Sequence, residues 1–131
     1  MKSEERSPRP AILVGLNTRR EDYERDLNSL EELSLLAESA GYSPKAAILK
    51  KKERIDPACY IGSGKARELK HAVSLHRAEA VLFDFELTAV QIRNLEKILE
   101  CRIVTRTETI LDIFEKRART KEAQLQVELA T

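Results

Sequence analysis

The sequence contains no tryptophan, and aromatic residues of all kinds make up only 5% of its 131 residues. Single-stranded bases stack on aromatic side chains, so this scarcity argues against recognition by base stacking. Glycine and proline are also scarce, with four of each, whereas hydrophobic residues make up 42%. This composition is too apolar for a disordered chain. We therefore expect one folded domain whose core consists of Leu, Ile, Val and Ala.

Long apolar runs are absent as well. The longest are four residues, such as residues 11–14, whereas a helix that spans a bilayer needs roughly 18. The first ten residues are polar and carry no secretory signal. The two cysteines, Cys59 and Cys101, form no CxxC pair, which predicts reduced thiols rather than a zinc site. We expect a cytoplasmic protein with no membrane span and no bound metal.

Charge is balanced overall at +1 but unevenly distributed. Residues 21–44 contain seven acidic residues and one basic residue, a net charge of −6. Residues 45–70 contain eight basic and three acidic residues, a net charge of +5, and residues 102–121 add a further +3. The segregation predicts an acidic helix and a separate basic surface, which suits a polyanionic partner.

Short apolar runs alternate with longer amphipathic segments along the chain. Strands are predicted at residues 11–16, 46–49, 80–83 and 102–104. Helices are predicted over 22–40, after residue 65, from residue 88 and from about residue 106 to 118. This alternation predicts an α/β fold, namely a four-stranded, mostly parallel open sheet with helices on both faces.

Local signals mark several of these boundaries. Thr88 with Gln91, and Thr105 with Glu108, have the spacing of capping boxes at helix starts. Gly41 follows the first helix as its terminating residue. We divide the chain into a flexible N-terminal tail over residues 1–9, an α/β domain over residues 10–118, and the start of a long, truncated helical subdomain of coiled-coil type over residues 119–131.

A glycine-rich turn, Gly62-Ser63-Gly64-Lys65, precedes the second predicted helix. Backbone N–H groups at a helix N-terminus can bind phosphate. The turn is not a nucleotide-hydrolysing P-loop, because one residue separates its glycines and Ala66 follows the lysine. Two interpretations stay open: a tight turn with Ser63 or Gly64 as the helix cap, or a phosphate site formed by the four residues.

Clustered cations suit the phosphate backbone of RNA, since counterion release needs charge rather than exact geometry. The carboxyl ends of parallel strands share one sheet edge, where ligands bind in such folds. No catalytic set can be assembled. Asp84 and Glu86 are expected to cap loops, and His71 and His76 to be structural or surface residues. The candidate RNA-binding residues are Lys50, Lys51, Lys52, Arg54, Lys65, Arg67 and Lys70, extended at the helix junction by Arg117, Arg119 and Lys121.

Three separated blocks resemble the N-terminal domain of HflX-type GTPases. The first is Tyr60 to Lys65, and the second combines Asp84 to Leu87 with Gln91 and residues 93–96. The third, which is the most specific, begins at Arg106 and includes residues 110–114 and 125–130. Two departures are Thr105, where the family usually has Asp, and Ala123, where Gly is frequent.

The resemblance implies a ribosome-binding module of a translation-related GTPase with a stress-response role. In the family this domain helps the GTPase dock on the large ribosomal subunit and its RNA and separate the subunits. The helical partner and the G domain, with its GTP and Mg²⁺, lie outside the matched residues. We therefore expect downstream helical and G domains as partners and no GTPase activity in these residues. The alternative is an ATP-binding regulatory module with weakly bound ATP and its phosphate at the Gly62–Lys65 turn.

Overall fold

The computed structural model describes the backbone of residues 7–52 and 54–130 and the side chains of residues 7–52 and 54–121. Strands and helices alternate as the apolar pattern predicts. No helix within these residues is long and apolar enough to cross a membrane. The elements are β1 (Arg9–Asn17), a single 3-10 turn (Arg20–Asp22), α1 (Tyr23–Ser39), β2 (Tyr42–Lys51), α2 (Ser63–His76), β3 (Ala80–Phe83), α3 (Ala89–Leu99), β4 (Arg102–Thr105) and α4 (Arg106–Ala130).

The four strands form one parallel sheet in the order β2-β1-β3-β4, which confirms the predicted fold class. The chain pairs β2 with one side of β1 and then crosses over to place β3 on the other side. The carboxyl ends of β1 and β3 therefore flank the point where the strand order reverses. Ligands of open α/β sheets bind at this position.

Helices cover both faces of the sheet. Because successive strand residues point to opposite faces, the strands contribute to two core clusters. One core cluster joins Ile12, Val14 and Phe83 of the strands to α2 and α3. The other joins Leu13 and Leu82 to the buried residues of α1, and α4 packs beside α1. The helices on the two faces explain why the central strands are continuous apolar runs rather than alternating ones.

Both predicted capping boxes are present. In the first, the Gln91 N–H donates to Thr88 Oγ1 at 3.1 Å, and the Thr88 N–H donates to Gln91 Oε1 at 2.9 Å. In the second, the Thr105 N–H donates to Glu108 Oε1 at 3.1 Å, and the Glu108 N–H donates to Thr105 Oγ1 at 3.4 Å. Gly41 ends α1 with a positive φ of 98°, as predicted.

In the interpretation of the turn as a structural one, the placement of the helix cap at Ser63 or Gly64 is wrong. Gly62 is the residue that precedes α2, and no side chain caps this helix end. Its φ of 79° lies in the region that glycine adopts without a steric penalty. Ser63 is already the first helical residue, and its hydroxyl is not the cap.

Strand and helix ends extend further than the apolar pattern indicated. β1 begins at Arg9, and β2 continues through Lys50 and Lys51, because ladder pairing with a neighbour does not require apolar side chains. α4 continues past Ala118 to Ala130, since it contains neither glycine nor proline. Residues 1–6 of the predicted tail and residue 131 lie outside the described residues. The domain boundary at residues 118–119 falls within one continuous helix and stays a prediction.

Three large apolar residues within the predicted helices are exposed. Tyr23 is 52% exposed, and Leu111 and Phe114 are each 59% exposed. α4 buries only Thr109 and Ile113 among its described side chains. The apolar residues of α4 occupy a wider part of the helix surface than α1 and the sheet cover.

Candidate functional site

The lysine run, Lys50 to Lys52, lies at the carboxyl edge of the sheet beside the end of β1. Asn17 and Lys51 are paired in the β1–β2 ladder, and the Lys52 N–H donates to the Asn17 carbonyl at 2.8 Å. Lys50 and Lys51 are the last residues of β2 rather than part of a loop, and Lys52 and Arg54 follow them with exposed side chains. Strand pairing with β1 therefore fixes the backbone of Lys50 and Lys51.

A cleft of about 360 Å³ separates β2 from α2 at this edge. Lys50, Lys51 and Lys65 line it together with Glu68, which forms an ion pair with Lys65 at 3.8 Å. The rest of the lining is apolar and consists of Val14, Ile48, Leu49, Ile61 and Leu69. The fold thus joins two basic segments that are separated in sequence, and it places them over an apolar floor.

Not every predicted cation belongs to this cleft. Lys70 Nζ lies 2.5 Å from Glu100 Oε2, at the end of α3, and this hydrogen bond lowers the pKa of the Glu100 carboxyl. Arg67 is exposed on α2 outside the lining of the cleft. The basic residues of α2 therefore point in different directions, and only Lys65 joins the β2 lysines.

The predicted cations of α4 lie at the opposite end of the sheet. Arg117 follows Arg106 by eleven residues, about 16 Å along a helix axis. Arg117 and Lys121 line a second groove of about 510 Å³ beside Ser39, the last residue of α1. Arg119 instead pairs with Glu115 at 3.4 Å. The basic residues thus form two separate groups rather than one surface.

The Gly62–Lys65 turn is open to solvent. Ser63 and Gly64 are exposed, and a Cβ atom added to Gly62 or Gly64 would have no heavy-atom neighbour within 4 Å. The first N–H groups of a helix have no partner within the helix, so this end can accept an anion. Of the four residues, only Lys65 lines the cleft.

Side chains of α3 hold the loop that leads into this turn. Gln91 Nε2 donates to the Asp56 carbonyl at 3.1 Å, and Asn94 Nδ2 donates to the Ala58 carbonyl at 2.9 Å. Asp56 and Tyr60 form an isolated antiparallel bridge. The glutamine and asparagine of the second family block therefore position the glycine turn from the neighbouring helix.

Aromatic residues close the other side of the same loop. Tyr60 has a φ of 69°, and its ring lies 4.6 Å from that of Phe85. Phe85 in turn meets Phe83 edge-on at 5.4 Å. These rings pack on one another, which leaves Tyr60 and Phe85 partly buried.

Arg106 is the centre of a polar network at the carboxyl edge. Its guanidinium donates to Asp84 Oδ1 at 2.6 Å, to Glu32 Oε1 at 2.9 Å and to Ser29 Oγ at 3.1 Å. Burial lowers the pKa of Arg106, but the hydrogen bonds to Asp84 and Glu32 outweigh this effect and raise it. The network connects the start of α4 to α1 and to the end of β3.

Asp84 and Glu86, expected to cap loops, accept hydrogen bonds from side chains of α1 and α4 instead. Asp84 also accepts a hydrogen bond from Ser29 Oγ at 2.6 Å, and its side chain is only 7% exposed. Glu86 accepts from Thr107 Oγ1 at 2.8 Å. The two carboxylates anchor α1 and α4.

The two cysteines and the candidate metal ligands form no further site among the described residues. Both cysteines are free thiols, and burial together with Glu96 raises the pKa of Cys101 to about 11. Burial and the charge of Asp56 likewise raise the pKa of Cys59. Within the described residues, no group of three or more His, Cys, Asp and Glu residues is arranged to hold a metal ion.

Sequence reasoning missed a pair of arginines at the same edge. Arg19 and Arg20 follow β1 directly, and β1 ends beside Lys51. Arg20 is exposed, whereas Arg19 forms ion pairs with Glu21 and Asp22. The available signal was their position just after the first predicted strand, which places them at the edge shared with the lysine run.

The fold and this edge define a class: parallel α/β domains with a basic cleft at the carboxyl ends of their strands. A family model described as the N-terminal domain of GTP-binding GTPases matches residues 27–115. The chain belongs to this family, as the N-terminal domain of an HflX-type GTPase. The match covers the Arg106 network and every lining residue of the cleft except Val14.

Curated relatives agree with this assignment. The chain is 49% identical over 120 residues to the GTPase HflX of Caldanaerobacter subterraneus subsp. tengcongensis, covering 92% of this chain and 27% of that protein. It is 45% identical over 107 residues to the GTPase HflX of Escherichia coli, covering 82% of this chain and 25% of that protein. The chain therefore spans about a quarter of the length of these relatives.

A solved structure shows the same fold. A GTP-binding protein from the archaeon Sulfolobus solfataricus, solved in complex with GDP, matches with a TM-score of 0.55 at 18% identity. The match covers 81% of this chain and 30% of that one. A variant of the protein SsGBP matches with a TM-score of 0.62 at 22% identity, over 93% of this chain and 37% of that one.

Proposed function

We propose that this chain is a non-catalytic, cytoplasmic ribosome- and RNA-binding module of an HflX-type GTPase. It binds the large ribosomal subunit through ribosomal RNA and helps the GTPase separate the subunits. GTP hydrolysis belongs to a G domain downstream, because the Gly62–Lys65 turn lacks the loop length and hydroxyl of a P-loop. The downstream helical and G domains are its partners within the longer protein.

The observation that carries this proposal is the grouping of Lys50, Lys51 and Lys65 around one cleft. Lys52 and Arg20 follow β2 and β1 at the same edge, and the exposed Arg54 lies two residues beyond Lys52 in the chain. A cluster of this kind suits phosphates of an RNA backbone, which is recognised largely by charge and shape. The exposed acidic residues of α1 repel RNA. The RNA therefore contacts the carboxyl edge from the side formed by β2 and α2.

Cosedimentation with purified large ribosomal subunits tests the proposal. The Lys51→Ala/Lys65→Ala variant should bind about tenfold more weakly, since two phosphate contacts are lost. The matched control is Arg93→Ala/Lys97→Ala, which removes the same charge from exposed positions on α3. The control should pellet like the parent chain. Equal weakening by both variants, or no pelleting of the parent chain, would contradict the proposal.

A second candidate function is binding of an adenine nucleotide in the same cleft. The apolar floor suits a base, and Lys65 with the exposed N-terminus of α2 suits a phosphate. This interpretation makes the Gly62–Lys65 turn a weak ATP site that regulates the module.

An NMR titration with ATP tests the second candidate. Amide signals of residues 62–67 should shift, and Lys65→Ala should abolish the shift. Changes confined to the lysine run, with the turn unaffected, would identify the turn as structural. If millimolar ATP also displaces RNA, the nucleotide and the RNA share one site.

A further inference from the structure

β2 is the outer strand on one side of the sheet. Within residues 7–52 and 54–130 it pairs only with β1. Every second residue of an edge strand directs its N–H and C=O groups away from the sheet. A second extended chain can pair with such an edge and add a strand, which is a recurring mode of peptide recognition.

Two grooves lie on either side of this edge. The cleft on the α2 side has Val14, Ile48 and Ile61 in its lining. A groove of about 480 Å³ on the α1 side is lined by Tyr23, Leu27, Leu30, Glu31, Ser34, Ala47 and Leu49. Exposed apolar surface belongs to both, since Ile48 is 38% and Tyr23 is 52% exposed.

The positions of the two grooves match the alternating side-chain directions of an added strand. Successive side chains of a strand point to opposite faces of the sheet. A strand paired with β2 would therefore direct alternate side chains toward the α2-side cleft and the α1-side groove. Ala47 and Ile48, neighbours on β2, are members of the two different grooves.

Charge selects the kind of strand that fits. Lys45 lies before this part of β2, and Lys50 and Lys51 end it. A second copy of the chain is disfavoured, because antiparallel pairing of two copies centred on Ile48 would bring Lys45 of one copy opposite Lys51 of the other. Like charges directly opposite each other destabilise a sheet. Acidic residues flanking an apolar centre are complementary to this edge.

We propose that the outer edge of β2 over residues 46–51 binds an extended segment of another protein, with apolar residues at its centre and acidic residues at its ends, as a fifth strand. The strand bulge between the 11–44 and 12–46 pairs, together with Pro44, which has no N–H group, limits pairing before Ala46. The contact is therefore short, and it depends on the apolar grooves as well as on backbone hydrogen bonds.

Fluorescence anisotropy with a synthetic peptide tests this proposal. The probe is a labelled nonapeptide with alternating valine and threonine at its centre and two glutamates at each end. It should bind the chain, and hydrogen exchange should show protection of backbone amides within residues 46–51. Two control peptides have the same length: one carries N-methyl groups on alternate central amides, and the other carries lysines in place of the glutamates. Each should bind at least tenfold more weakly.

Variants of the chain locate the site. Ala47→Lys and Ile48→Lys place a charge in the two grooves separately, and each should weaken peptide binding at least fivefold. Val90→Lys is the matched control, because Val90 is a 50% exposed apolar residue of α3 away from β2. It should bind the probe like the parent chain. Thermal unfolding establishes that each variant is folded.

Four results would overturn the proposal. The N-methylated peptide could bind as tightly as the probe, which would show that backbone pairing with β2 does not contribute to binding. The free chain could already protect all amides of residues 46–51, or sediment as a dimer. An RNA oligonucleotide could protect those amides when the probe does not. Because the proposal does not depend on ribosome binding, subunit cosedimentation can fail while the peptide test succeeds.

Discussion

At the scale of single residues, Arg106 occupies an unusual position. A cation in the first turn of a helix is unfavourable next to the positive end of the helix dipole. Here the hydrogen bonds to Asp84 and Glu32 compensate, and the Asp84 side chain is only 7% exposed. Arg106 therefore serves to hold α4 against α1 and the end of β3.

Replacing Arg106 by Ala should lower the free energy of unfolding by about 2 kcal/mol, because it leaves a buried carboxylate with a reduced set of partners. Urea unfolding measures the change. Arg102→Ala is the matched control, since Arg102 pairs with Asp112 at 3.4 Å and its side chain is 47% exposed. The control should cost less than about 1 kcal/mol. Similar losses in both variants would show that the network adds nothing beyond a surface pair.

At the scale of elements, α2 and α3 begin in different ways. α3 begins with a reciprocal capping box between Thr88 and Gln91. α2 begins after Gly62 with no side-chain cap, and its preceding loop is held from outside by Gln91 and Asn94. One helix start is encoded locally, whereas the other depends on a neighbouring helix.

Thr88→Ala should therefore cost about 1 kcal/mol of stability, the usual value for loss of an N-cap. Ser63→Ala should change stability by less than about 0.5 kcal/mol, because the Ser63 hydroxyl is exposed and is not a cap. Urea unfolding of the two variants at one pH provides the comparison. A loss for Ser63→Ala as large as that for Thr88→Ala would contradict the assignment of Gly62 as the N-cap.

At the scale of the whole molecule, charge is organised by position on the sheet. The lysine run and Lys65 lie at the carboxyl edge, while Arg117 and Lys121 lie beside the far end of α1. Acidic residues of α1 cover part of the opposite face. A polyanion can approach the carboxyl edge from the β2 and α2 side without meeting α1.

RNA binding to this edge should depend strongly on salt. With about four to six phosphate contacts, log affinity should fall against log salt with a slope of roughly −3 to −5. Replacing Lys50, Lys51 and Lys52 together by Ala should reduce the size of the slope by about two to three units, with little change in melting temperature. Fluorescence anisotropy over a series of salt concentrations gives the slopes.

The α4 cations provide the comparison for this measurement. Replacing Arg117, Arg119 and Lys121 together removes the same charge at the other end of the sheet. If the lysine variant retains the parent slope and the α4 variant loses it, the RNA contacts are on α4 rather than at the carboxyl edge.

Local chemistry determined much of the architecture. Apolar runs identified the four strands, and reciprocal capping pairs located the starts of α3 and α4, because these signals involve residues close in sequence. Gly41 ended α1 for the same reason. The parallel sheet followed from the alternation of strands and helices, and the family followed from three short blocks of sequence.

Only the tertiary structure decided which charged residues meet. It joined Lys65 to Lys50 and Lys51, directed Lys70 toward Glu100, and separated Arg117 from all of them, since these relations depend on strand order and helix direction. It also joined Arg106 to Asp84 and Ser29 across elements that are distant in sequence. Contacts of this kind arise from packing, and residue spacing along the chain does not encode them.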